Sequence, residues 1–290
     1  MTRLVDGRAI AARIAGQAAA AAAGLSAAGT VPGLAVLLPT DDPGAAWYVR
    51  AIERAATRAG VSCQVDRLAG PASSAEISGR LAALSADPAV HGIICQTPLP
   101  AGSTLAAVGQ AIDVAKDVDG ANPASLGRLA AGLPGAFPPA TAAAVLEILR
   151  QEDVALRGRR AVVVGRSVVV GKPTALLLLA EDATVTISHS RTRDLAAVCR
   201  EAEVLVVAAG RAGLIGADFV APGTVVIDVG TNPAPDGGLA GDVDAAAVTG
   251  IAGLLTPVPG GVGPVTTAML IQHTVLAATG LAAAGQAAAR

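Results

Sequence analysis

The sequence predicts an α/β fold of two domains, and three observations carry that expectation. Short apolar runs that suit buried strands alternate with Ala-rich stretches that suit helices, the order that builds parallel β-α-β units. Several of those runs, such as Ala161-Val162-Val163-Val164, are apolar throughout and close on glycine, as central strands covered on both faces do. At 290 residues the chain is also long enough for two cores.

Each element follows from its residues. An Ala-rich helix is expected from Gly7 to Ala23, stopped by Gly24. A strand follows over Gly33 to Leu38, then the loop Pro39-Thr40-Asp41-Asp42-Pro43-Gly44. A helix from Ala45 to Ala59 ends at Gly60, and Ser62 to Leu68 reads as the next strand. A helix over Ala75 to Ser85 and a strand over Gly92 to Gln96 complete the alternation of the first half. Pro138 to Ile148 reads as a helix leading into the second half, and Arg157-Gly158-Arg159-Arg160 as the turn before the Val strand. A further strand fits Ala183 to Ser188, and further buried strands fit Glu203 to Gly210 and Thr224 to Gly230. The loop from Thr256 to Pro264 is too rigid and glycine-rich for a plain linker, so it is expected to lie against a ligand or another domain. A terminal helix from Val265 to Ala278 closes the chain, with a frayed tail from Gly280.

Composition narrows the function classes. Net charge is −2 and the pI about 5.9, which gives no electrostatic footprint for nucleic acid. Hydrophobic residues make up 52%, but aromatics only 1%, so the apolar content reads as alanine helix rather than membrane span. No uninterrupted apolar run approaches about 18 residues. The charged start, Met1 to Arg8, has no apolar stretch of leader type behind it, so no secretory signal is expected. Cys63, Cys95 and Cys199 are odd in number and lack metal spacing, which fits a reducing cytoplasm. His91, His189 and His273 are scattered and give a metal site no support.

The stretch from Ala161 through Gly165 and Gly171 to Ala180 is a strand, a tight turn and a helix start. Gly165 allows the turn, Gly171 allows close approach, and amides at a helix start favour an anion such as a pyrophosphate. The Gly-x-x-x-x-x-Gly spacing is not the common dinucleotide fingerprint, and any α/β domain has such turns. The end of the following strand shifts the balance. An NAD site carries an acid there for the ribose hydroxyl, whereas this chain has Ser190 and Arg191, with Arg166 beside the turn. Hydroxyl and guanidinium groups suit a 2′-phosphate, so a dinucleotide site here is expected to take NADP. Taken alone, Arg191 reads as a solvated loop arginine.

Two polar clusters stand in the first half, Gln96-Thr97-Pro98-Leu99-Pro100 after a strand and Lys116-Asp117-Val118-Asp119-Gly120 in a loop. Ligands in open α/β sheets bind beyond the carboxyl ends of strands, where Gln96 would point. Taken singly, Gln96 reads as a loop-capping amide and the two aspartates as turn formers.

In combination these segments are specific. Asp6-Gly7, Asp42-Pro43 before Tyr48-Val49, the Gln96 and Lys116 clusters, Gly165-Arg166-Ser167 with Val170-Gly171 and Pro173, His189-Ser190, Gly241-Asp242-Val243 and Pro257 to Pro264 occur in one order. The chain thereby resembles the bifunctional methylenetetrahydrofolate dehydrogenase / methenyltetrahydrofolate cyclohydrolase family, FolD, across nearly its whole length. The resemblance implies a folate domain over residues 1–140 and 266–290, a Rossmann-type NADP domain over 141–265, a C-terminal helix returning to the first domain, and a cytoplasmic homodimer without nucleic-acid or membrane partners. It implies that Tyr48 stacks on the aminobenzoyl ring, that Gln96 bonds near the one-carbon bridge, and that Asp119 accepts from the pterin amino group and ring N–H. Pro98, Leu99, Pro259, Gly260 and Gly261 would border the substrate. Gly165, Arg166, Ser167, Gly171, Ser190, Arg191 and Thr231 would border NADP.

The departures lie on the folate side. The family's catalytic lysine, four residues after the tyrosine, is Ile52 here, and the only lysines are Lys116 and Lys172. Ala45, Pro39-Thr40, Ala121 and Ala140 also replace residues usual in the family. Hydride transfer from the methylene carbon is driven by a nitrogen lone pair and needs position, not a base. Hydrolysis of the methenyl cation needs protons moved, help worth about 10²- to 10⁴-fold, which isoleucine cannot give. Three readings stay open: a dehydrogenase with weak or lost cyclohydrolase activity, a paralogue acting on a modified folate or other one-carbon adduct, and a non-catalytic folate/NADP-binding protein.

Overall fold

The apolar runs become parallel strands. The computed structural model describes every residue except 69, 71, 235, 236, 289 and 290. In chain order its strands are β1 (Arg3–Leu4), β2 (Gly33–Leu38), β3 (Ser62–Arg67), β4 (Gly92–Cys95), β5 (Arg160–Val164), β6 (Thr184–Ser188), β7 (Val204–Val207), β8 (Val225–Asp228), β9 (Asn232–Pro233), β10 (Leu239–Ala240) and β11 (Leu254–Leu255). The α-helices are α1 (Gly7–Ala27), α2 (Pro43–Arg58), α3 (Ser74–Ala86), α4 (Leu105–Val108), α5 (Pro123–Ala130), α6 (Ala140–Gln151), α7 (Gly171–Ala180), α8 (Leu195–Arg200), α9 (Ala245–Val248) and α10 (Val262–Ala288). The chain divides into two compact units, Ala12–Ala140 with Thr267–Arg290, and Met1–Ala11 with Thr141–Thr266.

In the first of these, β2 lies between β3 and β4 in a parallel sheet, and all six of its residues are buried. Ile77, Leu81 and Leu84 of α3 close one face of its core with Leu37 and Ile93. α3 starts at a reciprocal cap between Ser73 and Glu76. α2 starts at Asp42, whose carboxylate accepts the Ala45 N–H at 2.7 Å, with Pro43 in the first turn. α10 comes close over β4 because position 92 is glycine: a Cβ there would lie 2.7 Å from Thr274 Oγ1 and 3.0 Å from Val118 Cγ1.

The other unit is a six-stranded parallel sheet in the order β1-β11-β8-β7-β5-β6. Its membership differs from the expected boundary at residue 1. Arg3 and Val5 donate their N–H groups to the carbonyls of Gly253 and Leu255, each at 3.0 Å, so residues 1–11 complete this sheet instead of joining 12–140. Two buried carboxylates organise its loops. Asp242 accepts from the amides of Ala209, Gly210 and Arg211 at 2.6–2.9 Å and from Asn232 Nδ2 at 2.8 Å. Asp228 accepts from Gly230, Asp242 and Val243 at 2.9–3.0 Å.

Two helices outrun the expected limits. α1 passes through Gly24 to Ala27, and α10 begins at Val262 and continues past Gly280 to Ala288, so the expected frayed tail is helix as far as the described residues extend. A glycine inside a helix costs only about 1 kcal/mol, and the flanking alanines and the packed face outweigh it. Among the described residues, α10 is also the one helix long and apolar enough by length and composition to cross a membrane. Half of that stretch is buried within the protein, including Leu270, Ile271 and Val275.

Because Asp242 is fully buried and holds four donors, Asp242→Ala should cost about 3 kcal/mol or more, against a typical loss near 1 for a surface change. Urea midpoints of variant and parent measure this.

Candidate active site

Tyr48, Gln96 and Asp119 all belong to the unit built on β2, where the Asp119 charge acts on Tyr48 and on Cys95, the neighbour of Gln96. Gln96 follows β4 and is buried, its backbone N–H donating to the Leu37 carbonyl at 2.9 Å. Tyr48 is half-buried on α2, and Asp119 is half-buried in the loop before α5. Burial raises the Tyr48 phenol well above its ordinary value, and the nearby Asp119 charge adds to the rise. Thr267, on α10, hydrogen-bonds the phenol oxygen and opposes that rise. Asp119 is pushed up to about 7 by burial, with the Ala140 N–H, 3.2 Å from Oδ1, opposing and the Asp117 charge adding. Cys95, directly before Gln96, is pushed up to about 12 by burial and then by Asp119. One carboxylate thus touches the field of both the tyrosine and the strand end.

The loop that carries Asp119 is built from below. Asp117 is fully buried, and its carboxylate accepts from the amides of Ala121 and Asn122 at 2.8 and 2.9 Å and from Ser125 Oγ at 2.5 Å. Lys116 donates to the carbonyls of Ser85 and Asp87, each at 2.8 Å. Gly120 takes a positive φ of 64° against the ring of Pro139. Asp117 is therefore the turn former, while Asp119 takes one bond, from the Ala140 N–H. Beyond Gln96, Pro98 is exposed and Leu99 half-buried.

Ile52 lies on the same helix as Tyr48, one turn on, and is fully buried with Val49 and Ala56. Ala45 and Ala121 are buried too. Arg54 is exposed, in an outward cleft with Arg50 and Arg58.

The remaining predicted residues belong to the other unit. Gly165 has a φ of 132°, and a Cβ there would collide with the Ala208 carbonyl. A Cβ on Gly171 would collide with the Gly165 carbonyl, so the pair lets the turn close tightly as a cradle of bare backbone. Ser167 Oγ accepts from the amides of Val170 and Gly171 at 3.1 and 3.3 Å and so shapes that cradle. Gly165 donates to the Ser188 carbonyl at 2.8 Å, which puts the loop holding Arg166 beside the end of β6 that leads to Ser190 and Arg191. All three are exposed, and neither arginine has an ion pair among the described residues. Thr231 is exposed after β8. Gly260 and Gly261 crowd Gly7, where a Cβ would strike their carbonyls, which explains the Asp6-Gly7 pair. Pro259, before them, is exposed. Thr267 was missed by sequence reasoning, since a threonine inside a helix carries no local signal for a distant tyrosine.

Residues 5–119 match the tetrahydrofolate dehydrogenase/cyclohydrolase catalytic domain, and residues 139–281 match the NAD(P)-binding domain of the same description. The chain belongs to the tetrahydrofolate dehydrogenase/cyclohydrolase family. It is 60% identical over 278 residues to the bifunctional protein FolD of Parafrankia sp. strain EAN1pec, covering 96% of this chain and all of that one. Among solved structures it is similar to the bifunctional FolD of Campylobacter jejuni, with a TM-score of 0.93 and 37% identity over 97% of this chain and 99% of that one. The FolD of Trypanosoma brucei, solved with NADP cofactor and an inhibitor, gives a TM-score of 0.91 and 35% identity over 96% and 97%. The family's two domain descriptions fall on the two halves that the clusters above occupy.

The raised Asp119 carboxyl makes stability depend on pH. A native carboxylate held above its unfolded value binds more protons than the unfolded chain, so its contribution is present below the ordinary value and lost as pH rises through about 7. Urea midpoints measured from about pH 4 to about pH 8 should therefore fall more in the parent than in Asp119→Asn, which keeps the shape without the charge. Parallel profiles would refute the burial of that charge.

Proposed function

We propose that this chain is an NADP-dependent 5,10-methylenetetrahydrofolate dehydrogenase in folate one-carbon metabolism whose cyclohydrolase step is weak or lost. The observation that carries the second half is Ile52, an apolar side chain sealed in the core beside Tyr48, where the family resemblance leads one to expect lysine. No other lysine stands in for it: Lys116 is tied to two carbonyls, and Lys172 opens α7 in the other unit.

The residues divide by task. Gly165 and Gly171 make a turn so tight that neither position has room for a Cβ, and that turn presents the first amides of α7, which suit a pyrophosphate. Arg166, Ser190 and Arg191 supply the cationic and hydroxyl groups that a 2′-phosphate needs. When bound, NADP supplies the acceptor for a hydride. On the folate side Tyr48 offers a ring face. Its phenol stays protonated, since burial and Asp119 both oppose ionisation. The side-chain amide of Gln96 serves the one-carbon bridge, and the Asp119 carboxylate, once ionised against the two donors of the pterin edge, accepts both of them. These groups hold a substrate in place. Of these groups only Asp119 is held near neutrality, and its carboxylate is taken up by the pterin edge rather than by the water and ring nitrogen between which hydrolysis moves a proton. A homodimer in the cytoplasm belongs to the same reading, and sedimentation at a monomer's mass would overturn that part.

Oxidation of methylenetetrahydrofolate should stop at the methenyl compound, which accumulates in step with NADPH and decays no faster than in buffer. Near-ultraviolet absorbance follows both. Ile52→Lys should restore some hydrolysis, up to the 10²- to 10⁴-fold or so that acid-base help is worth. Rapid hydrolysis by the unmodified protein would sink the reading of Ile52.

Cofactor choice is tested separately. Arg166→Ala should weaken NADP about ten- to a hundredfold, the worth of a charge-assisted bond, and leave NAD nearly untouched. An equal or better rate of the parent with NAD refutes the preference.

A further inference from the structure

His273 of α10 is buried at 4% exposure, and nothing in the chemistry above uses it. Its ring stacks on Phe137, with centroids 5.0 Å apart and planes at 31°. Its Nδ1 lies 2.9 Å from the Val118 carbonyl oxygen. A carbonyl can only accept, so Nδ1 carries the proton and donates. Burial holds the ring neutral, its pKa down to about 4, with the Val118 bond opposing.

Both of those partners lead to Asp119. Val118 is its neighbour in the chain, is fully buried, and packs under α10 at the gap left by Gly92. Phe137 begins the segment whose Pro139 crowds Gly120 and whose Ala140 amide donates to Asp119 Oδ1. Asp117 anchors the far side of the loop through Ala121, Asn122 and Ser125. On the near side, His273 is the side chain that bonds Val118 and braces Phe137 together.

We infer that His273 is a positioning residue for the substrate: its Nδ1–H bond to Val118 and its stack on Phe137 set the loop that aims Asp119 at the pterin. The inference rests on the reading of Asp119 as the pterin acceptor. Without the donor, the Val118 carbonyl loses its partner in a dry site and the loop turns to find another. The consequence falls on folate binding rather than on the fold as a whole or on NADP.

Two variants and one spectrum decide it. His273→Leu keeps the bulk and removes the donor, whereas His273→Asn keeps a donor close to Nδ1. His273→Leu should raise the KM for methylenetetrahydrofolate about tenfold, with kcat and the Kd for NADP changed less than about twofold. His273→Asn should recover most of that loss. Equal KM effects in the two variants, or a loss confined to kcat, overturn the inference. In the unmodified protein the ¹⁵N resonances of His273 should show a neutral ring protonated at Nδ1. The opposite tautomer overturns the inference even where His273→Leu fails to fold. Asp119→Ala run in parallel separates the two levels. If its folate KM is unchanged, the reading of Asp119 falls and this one with it. If it rises while that of His273→Leu does not, only the role of His273 falls.

Discussion

A parallel strand buried on both faces delivers its last amides into a loop where water cannot reach them, and those amides need acceptors inside the protein. Buried aspartates supply them here. Asp242 gathers the amides that follow β7, Asp228 gathers those around Gly241 to Val243, and Asp117 gathers those that open α5. The surrounding glycines follow from that demand. A Cβ on Gly241 would overlap the Asp228 carboxylate, and one on Gly230 would overlap Asp242. The loops at these strand ends are therefore made rigid by a few carboxylates that each take up several donors.

That rigidity bears on which chemistry can be lost. Oxidation of a methylene bridge asks its enzyme for position, and position comes from backbone cradles, ring faces and fixed carboxylates. Hydrolysis asks for a group that gains and gives up a proton during the reaction. On the proposed reading, the cofactor-side loop and the trio of Tyr48, Gln96 and Asp119 serve the first demand. The second would need a side chain that carries protons, and the inner face of α2 presents the apolar Ile52 instead.

Much of this was legible in the sequence. The Val run of β5 and the all-apolar β2 announced a parallel sheet, because only strands covered on both faces are apolar at every position. Gly165, Gly171, Gln96 and Asp119 could be picked out because local geometry or order in the chain marks them. Three things were not legible. The pairing of β1 with β11 joins residues some 250 positions apart through main-chain groups that carry no residue-specific signal. Asp242 stood in a recognisable motif, but its four donors come from segments that only the fold assembles. His273 looked like a scattered histidine because both its partners, Val118 and Phe137, are remote in sequence.

The path of the chain has a consequence for its biosynthesis. Residues 1–11 belong with 141–266, and residues 12–140 belong with the helix that ends the chain, so neither unit is contiguous. During translation, β1 waits for β11, from Arg3 to Leu254, a delay on the order of tens of seconds at ordinary elongation rates. The sheet of β2, β3 and β4 is likewise made well before the helix that covers Gly92 and bonds Val118. The apolar face over β4 therefore stays bare until α10 is made. A nascent chain of this design exposes apolar surface for longer than one whose units close in the order they are made.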